Sequence, residues 1–222
     1  MKFNSRYDSS VEVESHRSGG ARGTKHTDWH EALQRRGIRL ELATLAWNSV
    51  GVIVVFAAAF AAGSVALAGF GLDTAIEILA STVVIWHLRD TADQRRERVA
   101  MRVIGWAFAG LAIYVTAQAA YTLIGGDRPH HSPLGIGWTA ATFITMLALA
   151  TAKSATGKAL GNVTLETESR VTVIDAYLAA AVLVGLLLNA AVGWWWADPL
   201  AGLVVVYYAV REAGAAFAEV RG

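Results

Sequence analysis

Apolar and polar positions along this chain alternate in long blocks, not in the short strides of β-strands. After a polar opening come six mainly apolar runs, at about residues 43–62, 64–88, 103–124, 134–152, 171–192 and 197–218. A helix needs about 20 predominantly apolar residues to cross a bilayer, so each run predicts one spanning helix. The fifth carries a helical extension back toward Asn162. Runs one and two are joined by a very short link near Gly63, and runs five and six by "GWWWADP". Links this short predict helical hairpins with antiparallel neighbours. The expected fold is all-α: a polytopic membrane protein with six transmembrane helices.

Residues 1–28 are rich in Ser, Gly and charge, with "RSGGARG" at their centre, and read as a mobile tail. A helical pattern starts at Trp29 with "WHEALQRRGIRLELA" and runs into the first apolar block. The expected division is a cytoplasmic N-terminal tail over residues 1–40, largely disordered and then helical, and a six-helix transmembrane domain over 41–222. No secretory signal precedes the first run, so that run is expected to act as its own insertion signal. The chain has 19 Lys and Arg, and all but Arg128 fall on one side of the predicted membrane. The positive-inside rule makes that side, with both termini, cytoplasmic. Trp194, Trp195 and Trp196 then fall at the outer interface, where aromatic rings are favoured. A plasma or inner cell membrane is the expected setting.

Composition narrows the functions. Hydrophobic residues make up 55% of the chain and charged residues 17%, and mean hydropathy is +0.41. This balance belongs to membrane proteins. A net charge of +1 gives no sign of a nucleic-acid partner. With no cysteine there are no disulfides, thiolate metal sites or cysteine nucleophiles. The glycines from Gly105 to Gly110 lack the strand–helix context of a nucleotide loop. Neither an enzyme nor a resident cofactor is expected.

The informative chemistry lies in "GSVALAGFGLDTAIEILAS", which places Asp73 near mid-bilayer and Glu77 four residues later. On a helix the two project from one face, about 6 Å apart along the axis. A carboxylate at the bilayer centre costs at least ~2.5 kcal/mol on the mildest scale. No Lys or Arg in any run lies at a depth to neutralise them, so protons or a cation must do so. A site that holds protons when empty and a divalent ion when filled can exchange one for the other. The plainer alternative is a protonated pair, hydrogen-bonded between helices and serving packing only. Asp175 is a third buried acid, on a helical stripe with Glu168 and Val171. It is either a further ligand or an acid favoured near a helix N-terminus by the macrodipole. For Asp175 to meet Asp73, helix five must extend outward or tilt.

These residues carry a resemblance. "GSVALAGFGLDTAIEILAS" resembles the second transmembrane helix of the cation diffusion facilitator family, with its two acids four apart. "AWN" in run one resembles that family's asparagine-bearing first helix. "GWWWADPLAGLVVVYYAVREA" looks like its entry into helix six. The resemblance spans about residues 47–213 and is closest to the short branch without a C-terminal domain, similar to transmembrane protein 163-type cation transporters. It implies export of a divalent cation coupled to proton entry, a homodimer, and a transport site joining two acids on helix two to a His and an Asp on helix five. Asp73, Glu77 and Asp175 map onto three of those positions. The His falls on Val171, which cannot ligate. The mapped donors are then all oxygen, which suits Mn²⁺ about as well as Zn²⁺. Asn48 and Glu168 are candidates for a further donor. Gly105 and Ala109 on helix three are small enough for close helix packing.

His87, at the inner end of run two on the Asp73 face, either passes ions and protons or is simply solvated. His130 and His131 are a pair that could bind metal, but their short outer loop offers few other ligands; His16, His26 and His30 invite a metal-recruitment role, but their scattered spacing among Gly and Ser reads as disordered tail. Asn162-Val163-Thr164 is a formal glycosylation triplet on the cytoplasmic side, where it carries no meaning. Two readings follow. The first is a secondary transporter for a divalent metal cation, in which helices one, two, four, five and six enclose the ion; its partners are the metal ion, protons and the lipid bilayer. The second is a non-transporting membrane protein that assembles with or regulates another transporter, for which Val171 in place of His is the expected sign.

Overall fold

The computed structural model describes the backbone of residues 9–89, 94–126 and 128–221, and side chains at 29–79, 99, 101–126, 128–162, 165–166 and 168–218. Six helices follow in order: α1 (Ser9–Ala62), α2 (Val65–Arg89), α3 (Gln94–Gly125), α4 (Pro133–Leu160), α5 (Val163–Val192) and α6 (Ala197–Arg221). There is no strand among the described residues. By length and composition five of the six suit a membrane crossing. α2 is not among those five, but its second half lies in residues whose side chains are not described. α1 starts at Ser9, within the stretch that the sequence reads as a tail.

Local chemistry sets the helix ends. Ser132 caps α4 by accepting the Gly135 N–H, with Pro133 in the first turn, where a missing N–H costs nothing. Asn162 caps α5 by accepting the Leu165 N–H at 3.0 Å, so the formal glycosylation triplet begins with a helix cap. Gly63 turns α1 into α2 at φ +61°, and Gly193 ends α5 at φ +73°. Side chains other than glycine rarely adopt that left-handed backbone, which is why both predicted hairpins turn at glycine.

The alternating helices create two ends. The hairpin end holds the α1–α2, α3–α4 and α5–α6 links, and the termini end holds the α4–α5 link, the start of α1 and the end of α6. Within the bundle α4 lies along α5 and α3 along α6, while α2 touches α1, α3, α5 and α6. Small residues permit the closest approaches. A Cβ on Gly185 would stand 2.6 Å from the Ala201 Cβ, so α5 meets α6 almost backbone to backbone. Gly105 serves packing inside the chain, where the Phe217 ring of α6 fills the space over it. Trp47 stacks on Trp138 with centroids 4.9 Å apart and donates Nε1–H to Thr142 Oγ1, joining α1 to α4. The apolar core runs from Val55 and Ala58 through Ala66, Leu67 and Phe70 to Val182 and Val205.

The charge pattern puts Lys153 with Lys158 and Arg170 in the link after the fourth apolar run. Lys153 is not a loop residue: α4 continues eight residues past Ala152, to Leu160, and carries Lys153 into the protein, where it is 1% exposed. The long α4 made this possible, because a helix that outlasts its apolar run takes its first charged residue inside with it.

Candidate functional site

A cavity of about 820 Å³ lies among the helices, and residues from all six line it. Helix α3, which the sequence reading left out, contributes Met101, Ile104 and Phe108. At the termini end the lining includes Gln34, Gly37, Leu160 and Asn162. The hairpin end is fastened instead. The Asp198 carboxylate, fully buried in the first turn of α6, accepts from Ser64 Oγ–H at 2.5 Å and from the Val65 N–H at 2.9 Å. Asn189 Nδ2–H donates to the Pro129 carbonyl, and the His130 N–H to the Ala62 carbonyl.

Asp73, Glu77 and Asp175 all line the cavity. Asp73 is 4% exposed, and no side chain hydrogen-bonds its carboxylate among the described residues. Glu77 of α2 and Asp175 of α5 interact where the two helices touch. This resolves the depth problem: Asp175 meets Glu77, one turn nearer the termini end than Asp73. The charges of Asp175, Asp73 and Glu212 all act on Glu77. Asn48 and Glu168 face the same cavity, and so does Val171. His87 lies on α2, and its side chain falls outside the described residues, as do those of His16 and His26. His30 stands against Trp29 at the surface of α1, and His130 and His131 are exposed at the hairpin end. Among the described residues no three His, Asp or Glu stand together closely enough to hold a metal ion.

Three charged residues of the cavity were not foreseen. Glu212, half-buried on α6, acts on both Asp73 and Glu77. Its signal is an acid fifteen residues after the start of the last apolar run, obscured by its neighbour Arg211. Glu41 of α1 and Lys153 of α4 form an ion pair of 2.9 Å, and Lys153 Nζ also donates to Thr172 Oγ1 at 3.2 Å. Nothing in the sequence pairs two residues 112 positions apart. The Lys153 charge acts on Asp175 and Glu168, whereas the charges that act on Asp73 and Glu77 are those of other acids.

An all-helical bundle with acids around a cavity between its helices and hydrogen bonds that fasten its hairpin end is an arrangement suited to moving a cation. The sequence comparison agrees. The model of the cation efflux transmembrane domain matches residues 42–221, and the chain belongs to that family, the cation diffusion facilitators. It is an integral membrane protein of a cation transporter family. No curated protein matches it.

Proposed function

We propose that the protein exports a divalent metal cation in exchange for protons, with Asp73, Glu77 and Asp175 as the carboxylates that take turns holding the two. The observation that carries this reading is the Asp73 carboxylate: buried, without a hydrogen-bond partner among the described residues, and facing a cavity that Glu77 and Asp175 also line. A carboxylate inside a membrane bundle, with other acids nearby, is tolerated when a proton or a cation neutralises it. Two neighbouring carboxyl groups, Glu77 and Asp175, repel when both are charged, and one proton between them relieves that repulsion, which suits a proton-loaded form of the site. Cation entry would expel that proton and draw the acids together around the ion, with waters and Asn48 as further donors. All-oxygen donors favour Zn²⁺ or Mn²⁺ at comparable strength.

In this reading all six helices span the bilayer and the termini end faces the cytoplasm, so the cavity opens to the side from which cations are exported. Release requires the Asp198 fastening to open while the termini end closes. A homodimer is the expected assembly. The test is flux in proteoliposomes across Zn²⁺, Mn²⁺, Fe²⁺, Co²⁺ and Cd²⁺ with an imposed pH gradient. Wild type should move at least one of these ions, and Asp73→Asn should not. Equal flux in a folded Asp73→Asn protein would take these acids out of the transport path, and no flux of any of the ions through folded wild type would favour the non-transporting reading.

A further inference from the structure

Lys153 has surroundings unlike those of a purely structural ion pair. Its ammonium is buried but only partly matched: one Glu41 oxygen at 2.9 Å and the Thr172 hydroxyl at 3.2 Å. Ammonium has three hydrogens to place. The other Glu41 oxygen, Oε1, is buried with no hydrogen-bond partner among the described residues. A buried pair left half-satisfied on both sides is a poor stabiliser. The geometry around it is suggestive of a second position. Thr172 precedes Asp175 by three residues, about 4.5 Å along α5 and on nearly the same face. A lysine stem has four rotatable carbons, so a rotamer change is enough to carry its ammonium over that distance. The Lys153 charge already acts on Asp175.

We infer that Lys153 is a tethered cation that competes with the transported ion for Asp175, and that Glu41 and Thr172 hold it aside in the ion-receptive arrangement seen here. The inference rests on the reading of Asp175 as a cation-binding carboxylate. Lys153 then limits affinity and promotes release, because Asp175 need not be left bare when the ion departs. Glu41 has the opposite effect, since it keeps the lysine off the site.

The test is a double-mutant cycle on the affinity of the purified full chain for Zn²⁺, repeated with Mn²⁺, by calorimetric titration in nanodiscs. Lys153→Gln should tighten binding about fivefold or more, and Glu41→Gln should weaken it by a similar factor. Removing a fixed charge also changes the field of the cavity, but such field effects add. Competition does not: with the lysine gone, Glu41 has nothing to hold, and Glu41→Gln in the Lys153→Gln background should shift affinity by less than about twofold. Additive effects, or a Lys153→Gln protein that binds no tighter than wild type, overturn the inference. If Lys153→Gln does not fold, the charge-free pair Lys153→Met with Glu41→Gln replaces it. That protein should bind tighter than wild type, and binding no tighter overturns the inference equally. Asp73→Asn separates the two levels of the argument. If it leaves affinity unchanged, or wild type binds neither ion, the proposed function fails and the inference with it. If it weakens binding while the cycle is additive, the inference alone fails.

Discussion

Asp198 and Ser64 lie 134 residues apart in sequence and 2.5 Å apart in space, hydroxyl to carboxylate, at the hairpin end of the bundle. Ser64 Oγ in turn accepts the Leu67 N–H, and Asp198 accepts the Val65 N–H, so the two residues together cap α2, the helix that carries Asp73 and Glu77. An acid from α6 thus fixes where the site-bearing helix begins. Asp198→Ala leaves those buried donors unpaired and should cost about 2 kcal/mol, the usual range for hydrogen bonds to a charged group. The check is the thermal midpoint of the purified protein. Ser64→Ala, which leaves the backbone contacts of Asp198 in place, should cost less.

Gly185 supports a second prediction, about packing alone. Its missing Cβ would meet the Ala201 Cβ at 2.6 Å and the Ala197 carbonyl oxygen at 3.0 Å. Gly185→Ala must push α5 from α6, and overpacking of this kind costs about 1–3 kcal/mol. Gly137 has no atom within 4 Å of a built Cβ, so Gly137→Ala should leave the melting temperature unchanged or raise it slightly.

Glu212 supplies a third. It acts on Asp73 and Glu77 from α6 and lines the same cavity. Its removal should weaken attraction of the incoming cation without abolishing the site. Glu212→Gln is expected to raise the KM for flux about threefold, while Asp73→Asn removes flux. If Glu212→Gln leaves KM unchanged, the α6 acid takes no part in cation capture.

Much of this arrangement was legible in the pattern of residues. The two short hairpins were readable because glycine at Gly63 and Gly193 marks turns that other residues rarely make. Asp73 and Glu77 stood out because two acids in an apolar run break the pattern that the bilayer imposes, and the structure places both on the cavity wall. What stayed hidden depends on distant partners. Lys153 looks like a chain leaving the membrane until Glu41 is placed beside it. Asp198 looks like an ordinary first-turn acid until α2 is brought to it. Glu212, beside Arg211, has the look of a solvated interfacial pair until α6 is rotated against α2. Hydropathy reports what each residue prefers on its own, and these three are set by what another helix offers.

The pH dependence follows from the exchange itself. A carboxylate must lose its proton before it can hold a cation, so cation binding is strongest at high pH and weakens as pH falls through the range in which the site takes up protons. Within that range affinity should fall about tenfold per pH unit for each proton displaced. Titrations with Zn²⁺ across pH should show this slope in wild type and a shallower one in Glu77→Gln.

Simultaneous recording of Zn²⁺ uptake and proton release, in proteoliposomes that carry a pH reporter, joins the two halves of the exchange in a single trace. Wild type should release protons in fixed ratio to Zn²⁺ taken up, and both signals should vanish together in Asp73→Asn. Zn²⁺ uptake without proton movement, or undiminished uptake in a folded Asp73→Asn protein, would contradict the exchange of protons for metal at these carboxylates.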